Sequence, residues 1–171
     1  GTVTDNSTDN YLGGTFTFVN AGGPRAISDI TLTATGTINA LDGLANVRLA
    51  YEYDTSNPYD CVSESFTGSE ASTTGSTFTG STGSSTFSGP FAVDNTTALC
   101  GYVLFDTTAS STNGETINLV IKDPQSDVAV SAGSVGPASV VDISGVTIVE
   151  SPVLNQAGYH WRNDDGSESG A

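Results

Sequence analysis

The sequence predicts an all-β protein: an immunoglobulin-like or jelly-roll-type β-sandwich of seven to nine strands, with one disulfide and extended terminal arms. The first observation behind this prediction is a repeated alternation of apolar and polar residues with a period of two, the pattern of strands that have one buried face. The second observation is the composition. Thr and aromatic residues favour strands, Gly, Asn and Ser favour turns, and Lys and Arg, which favour helices, together number only four.

Three segments in the first third of the chain alternate most strictly. Residues 15–20 read TFTFVN, with Phe16 and Phe18 on one face. Residues 27–37 read ISDITLTATGT, and residues 46–54 read NVRLAYEYD. Each segment is therefore predicted to be a strand with one face in the core.

Residues 55–97 have the least regular pattern. Gly, Ser and Thr dominate residues 68–90, but Phe78 and Phe87 interrupt the polar run, and a flexible linker does not need phenylalanines. We expect short strands near these two residues at an edge of the sandwich. The alternative is a Gly/Ser-rich segment of low complexity.

Strand patterns return after residue 97. Residues 98–106 read ALCGYVLFD, and such an apolar run predicts a central strand. The Asn113-Gly114 turn precedes another predicted strand at residues 115–122. Shorter strands are predicted at residues 128–131, 140–143 and 146–150.

The amino-acid composition and the hydrophobic pattern divide the chain into three parts. Residues 1–14 are polar and are predicted to form an N-terminal arm, and residues 15–150 the sandwich. Residues 151–171, a predicted C-terminal arm or linker, contain the only Trp and the only His and then become acidic. No apolar run is long enough to span a membrane.

The two cysteines, Cys61 and Cys100, predict a disulfide, because the count is even and the composition is typical of secreted proteins. Closing a loop of about 40 residues stabilises the folded state by roughly 3–4 kcal/mol in the chain-entropy model. The bridge is predicted to tie the irregular segment to the core rather than to link two sheets. Two buried free thiols are the alternative.

A formal net charge of −15 argues against nucleic-acid binding, which needs Lys and Arg for phosphate contacts. It also argues against binding to an anionic membrane surface. The hydroxyl-rich surface favours an extracellular location.

Several segments resemble β-sandwich modules of large bacterial cell-surface proteins. They are ITLTATGT at 30–37, the segment 44–53 with its NVRL core, and NGETI at 113–117. More specifically, YHWRNDDGSE at 159–168 is similar to the YRWRNDDGSE segment of such proteins, with His160 in place of Arg. The resemblance implies an exported, non-catalytic module that is repeated or assembled at the cell surface.

Catalytic patterns are missing from the sequence. Nucleophilic catalysis needs a nucleophile, a base and an orienting group, but the only His is His160 and no G-x-S-x-G segment occurs. We therefore expect no enzymatic activity and no cofactor apart from a candidate calcium ion.

Calcium prefers carboxylate, amide and carbonyl oxygens. Candidate ligands are Asp5 and Asp9 near the N-terminus and Asp164 and Asp165 near the C-terminus, although Asx turns use the same residues without metal. Candidate glycosylation acceptors follow the N-x-[ST] pattern at Asn6 and Asn95.

The sequence thus predicts a structural subunit or module of an extracellular filament, pilus-like fibre or surface stalk that associates with itself through strand and arm contacts. The residues predicted to make these contacts are Tyr11, Leu12, Val153, Leu154, Tyr159, His160 and Trp161. The alternative is an adhesive or carbohydrate-binding domain, in which Tyr59, Tyr159 and Trp161 bind a glycan.

Overall fold

The computed structural model describes residues 1–143 and 146–151, and this part of the chain is mostly β. It contains thirteen strands and two one-turn helices, and no helix in it is long and apolar enough to cross a membrane. The elements are β1 (Thr2–Thr4), β2 (Asn10–Tyr11), β3 (Phe16–Phe18), β4 (Arg25–Ala34), α1 (Ala40–Gly43), β5 (Leu44–Asp54), β6 (Ala71–Thr74), β7 (Ser84–Val93), β8 (Ala98–Thr107), β9 (Thr116–Ile117), β10 (Leu119–Ile121), α2 (Pro124–Asp127), β11 (Val128–Val130), β12 (Val141–Asp142) and β13 (Thr147–Glu150).

The strands form three sheets. In the front sheet, β6, β5 and β8 are neighbours, and both β2 and β3 pair with the free edge of β8. In the back sheet, β7 pairs with one edge of β4, β10 and β11 pair with the other, and β12 pairs with β10. The side sheet has the order β1-β13-β9. This arrangement agrees with the predicted all-β sandwich.

The main core lies between the front and back sheets. Phe87, Phe91 and Phe105 are fully buried there, as are Ile30 and Leu49. A β-bulge between Ile27 and Asp29 shifts the alternation of β4, so that both Ile27 and Ile30 face the core although they are three residues apart. The predicted strands in β4 and β5 are therefore confirmed.

Strand β8 is buried over all ten of its residues, which confirms the predicted central strand. Its outer face is covered by a second hydrophobic cluster, in which Tyr102 and Cys100 contact Tyr59 and Phe66 from the irregular segment. The apolar run in the sequence arises because neither face of this strand meets water.

The two long sides of the sandwich differ in how the opening between the front and back sheets is covered. On one side, residues 71–79 cross from the front to the back sheet, with the Gly75 N–H donating to Val47 O and the Ser76 N–H to Thr86 O. On the other side, the side sheet covers only part of the opening. There Thr147 Oγ1 donates to Leu12 O.

The short strand expected at residues 77–79 does not form, whereas the one expected at 86–88 is part of a longer strand at the edge of the back sheet. Phe87 belongs to the ten-residue strand β7, which pairs with β4 along its length, and residues 77–79 are not a strand. The alternation is hard to recognise because a polar residue, the fully buried Ser85, occupies one of the inward positions of β7. Its hydroxyl donates to Ser76 O.

The number of strands exceeds the predicted seven to nine because several predicted strands change partners. The predicted strand at 115–122 is divided at Asn118: β9 pairs with β13 of the side sheet, whereas β10 pairs with β4 of the back sheet. The predicted N-terminal arm also contributes strands, since β1 pairs with β13 and β2 with β8. Residues 1–14 are thus part of the body.

Candidate functional site

The Cys61–Cys100 disulfide is present and joins the irregular segment to the outer face of the front sheet, with the two Cα atoms 5.8 Å apart. The predicted position of the bridge is therefore confirmed. Both cysteines are buried in the second cluster, where the ring of Phe66 lies 5.7 Å from that of Tyr102. The described residues contain no free cysteine.

Asp54 organises the turn that leads into this disulfide. Its fully buried carboxylate accepts the Ser56 N–H at 2.8 Å on Oδ1 and the Asp60 and Cys61 N–H groups at 3.1 and 3.0 Å on Oδ2. These bonds, led by the one from Ser56, lower the pKa of Asp54 against the opposing effect of burial. The arrangement stabilises a loop and leaves no free oxygen for a substrate.

Tyr102 and Glu52 form the other polar contact beneath the irregular segment. The Tyr102 hydroxyl donates to Glu52 Oε1 at 2.6 Å. Burial, followed by this bond to a carboxylate, raises the pKa of Tyr102 far above its ordinary value. The Tyr102 phenol therefore stays protonated and keeps its hydrogen bond to Glu52.

Two residues predicted to make assembly contacts pack within their own chain. The Tyr11 ring lies 4.7 Å from that of Phe66, and its hydroxyl donates to Gly14 O at 2.6 Å. Leu12 is half-buried against the main core. Tyr59, a candidate glycan platform, is half-buried against the second cluster. The strands in residues 1–14 pair within the chain's own sheets, and assembly contacts of Tyr11 and Leu12 stay a prediction.

The other predicted assembly residues, Val153, Leu154, Tyr159, His160 and Trp161, lie outside the described residues, as do Asp164 and Asp165.

The structure does not bring Asp5 and Asp9 into a cluster with a third ligand. Among residues 1–143 and 146–151, no group of three or more His, Cys, Asp or Glu side chains could hold a metal ion. Asp9 forms an ion pair with Arg48, and Asp5 accepts a hydrogen bond from the Ser151 hydroxyl. These aspartates act in the turn that joins β1 to β2, and calcium binding stays a prediction.

Both candidate glycosylation acceptors are exposed. Asn6 lies in the turn between β1 and β2 with a φ of 50°, and Asn95 lies in the turn between β7 and β8. In that second turn, Asp94 accepts hydrogen bonds from Thr96 and Thr97. Either asparagine is accessible to a modifying enzyme.

A groove of about 450 Å³ opens where the side sheet ends, between β3 of the front sheet and β11 of the back sheet. We call it the β3–β11 groove. Its apolar lining includes Phe18, Val19, Ile27, Val93, Val128 and Val130, and residues 132–137 form one wall. Sequence reasoning missed this groove because its lining comes from four separate segments.

The first and last described strands give the molecule a direction. Strands β1 and β13 are parallel, with Thr2 opposite Ile148 and Thr4 opposite Glu150. Thr4 O accepts a hydrogen bond from Thr107 at the end of β8, so both strands run toward the end of the sandwich that contains Thr107. Gly1 and Ser151 therefore lie at opposite ends of this short strand pair.

Comparison of the chain with protein-family models, curated proteins and solved structures found no significant match to any of them.

Proposed function

We propose that this protein is a non-catalytic structural module of an extracellular assembly, such as a filament, a pilus-like fibre or a surface stalk. The observation that carries the proposal is the parallel pairing of β1 with β13. Antiparallel terminal strands would place the entry and exit of the chain at the same end. Parallel ones place them at opposite ends of the strand pair, which suits copies or modules arranged in a line.

The edges of the sheets support the same function. Among the described residues, β3 pairs only with β8 and β11 only with β4, so each has one edge without a strand partner. Such edges accept further strands. A contact between different surfaces of successive copies does not close on itself and therefore propagates.

An extracellular location agrees with the disulfide, because such bonds persist mainly in oxidising compartments. The surface also agrees, since exposed Ser, Thr and Asn side chains remain soluble without the lysines that many proteases recognise. The resemblance of residues 159–168 to a segment of bacterial surface proteins points to the cell surface.

The proposal is tested by sedimentation velocity and negative-stain electron microscopy of the full chain over a wide concentration range. We expect species larger than a monomer that grow with concentration, are thin and unbranched, and dissociate on dilution. A monomer at every concentration would contradict the proposal. Binding to a glycan array by such a monomer would instead favour an adhesive domain.

A further inference from the structure

The β3–β11 groove combines two features of a strand-binding site. The backbone edges of β3 and β11 line it and have no strand partner among the described residues. An extended segment placed there would gain backbone hydrogen bonds of the kind made in β-strand addition. On the opposite side of the sandwich, residues 71–79 cross between the sheets.

The floor of the groove is apolar and partly exposed. Ile27, Val93 and Val128 are buried, Phe18 is half-buried, and Val19 is 66% exposed. A valine so exposed beside a cavity of about 450 Å³ leaves room for a large side chain, since ligand pockets typically measure about 300–1,000 Å³.

The groove also contains a cation. Arg25 lines it, is exposed, and forms no ion pair among the described residues, where the ion pair present joins Arg48 to Asp9. In a chain with a formal net charge of −15, an arginine without a carboxylate partner is a local attraction for an acidic segment.

The chain itself supplies a segment of matching chemistry. Twenty residues follow Ser151. Within them Val153, Ala157, Tyr159 and Trp161 occupy alternate positions that share one face of an extended strand, with the polar Asn155 among them. The acidic pair Asp164 and Asp165 follows Trp161 after Arg162 and Asn163. Apolar residues therefore match the floor of the groove, and the acidic pair matches Arg25.

The groove and the start of this segment lie at opposite ends of the sandwich. Phe18 is opposite Leu99 at the start of β8, whereas Ser151 follows the strand that ends beside Thr107. Eight residues of extended strand separate these ends by ~26 Å. Because β13 runs away from the groove, the groove of a neighbouring copy is favoured over that of the same chain as the binding site.

We propose that residues 153–165 of one copy bind as an added strand in the β3–β11 groove of the next copy, with Trp161 and Tyr159 on its apolar floor and the acidic pair near Arg25. This inference rests on the proposed function and identifies the surface through which the assembly grows. The contact is head-to-tail and therefore continues along a filament.

Thiol cross-linking tests this contact. Full chains carrying Val19→Cys, labelled with ¹⁵N, are mixed with unlabelled chains carrying Trp161→Cys and treated with a thiol-specific bismaleimide. The native cysteines are both in the disulfide and do not compete. We expect mixed cross-linked dimers, identified by mass. The matched control is Val62→Cys, since Val62 is 83% exposed and lies outside the groove.

Equal yields of mixed dimer from Val19→Cys and Val62→Cys would overturn the inference. So would a chain carrying both Val19→Cys and Trp161→Cys that cross-links within itself while the mixture gives no mixed dimer. That result would mean that the segment fills the groove of its own copy.

Self-association of charge variants provides a second measurement. Val19→Glu and Arg25→Glu are each expected to weaken it roughly tenfold, the loss typical of a residue at the centre of an interface, and Val62→Glu is expected to leave it unchanged. If the wild type assembles and all three variants assemble equally well, the groove is not the contact but the proposed function stands. If the wild type does not assemble, both fail.

Discussion

At the scale of single residues, Asp54 is the clearest case of a side chain that stabilises a turn. One buried carboxylate accepts three backbone N–H groups and so fixes the turn that places Cys61 against β8. Cys61 itself has a φ of 60°, a conformation that non-glycine residues rarely adopt. The disulfide loop thus depends on a local network as well as on the covalent bond.

Asp54→Asn is expected to destabilise the fold, because an amide places an NH₂ group against at least one of the N–H donors that the carboxylate accepts. Urea unfolding of the full chain measures the change. Asp60→Asn is the matched control in the same loop, since Asp60 is exposed and accepts one N–H, from Val62. A loss in Asp54→Asn no larger than in Asp60→Asn would contradict this role.

The same residue has a consequence for pH dependence. Its folded-state pKa is lowered, so its contribution is complete above the unfolded-state pKa of about 3.9 and is lost as pH falls through the lower folded-state value. The stability difference between wild type and Asp54→Asn is therefore expected to shrink on acidification below about pH 4.

At the scale of elements, the sequence predicted the strands in which apolar residues form a continuous run or recur mainly at alternate positions. Strand β8 was recognisable because both of its faces are covered, and β4 and β5 because one face is. The full length of strand β7 was not recognisable, since Ser85, Gly89 and Pro90 interrupt its pattern while the pairing with β4 holds it in the back sheet. The division at Asn118 depends on pairing with distant strands and leaves no local signal.

The candidate site follows the same rule. The disulfide was predictable from the number of cysteines, and its position from the neighbouring strand patterns. The β3–β11 groove could not be predicted from the sequence, because the residues near 18, 25, 93 and 130 meet only through the pairing of strands that are distant in sequence. An edge strand is also defined by the partner that it lacks, which no local pattern shows.

Residues 55–70, the first part of the irregular segment, are held by the disulfide, by the hydrogen bonds to Asp54 and by one aromatic cluster. Reduction of the disulfide is expected to cost roughly 3–4 kcal/mol and to release this segment from the outer face of the front sheet. Limited chymotrypsin digestion with and without reductant is expected to cut first at Tyr59 and Phe66 in the reduced protein. Earlier cleavage elsewhere would show that the segment is held by other contacts.

At the scale of the molecule, the net charge affects how copies of the chain associate. The chain carries a formal net charge of −15, so copies repel one another at long range and need a specific contact to associate. If Arg25 provides part of that contact, moderate salt strengthens assembly by screening the general repulsion and high salt weakens it by screening the specific pair.

The parallel pairing of β1 with β13 also determines how the molecule responds to tension. A force applied through Gly1 and Ser151 pulls two parallel neighbours along their own axes in opposite directions. The hydrogen bonds from Ile148 N to Gly1 O and from Asp5 N to Glu150 O are then loaded together in shear rather than opened one after another.

Single-molecule pulling through residues 1 and 151 is therefore expected to require a higher unfolding force than pulling through residues 1 and 62 of the same chain. Equal forces would mean that the side sheet does not carry the load. A body built in this way resists extension most strongly along the line in which its chain enters and leaves, which is the line along which a surface fibre is stretched.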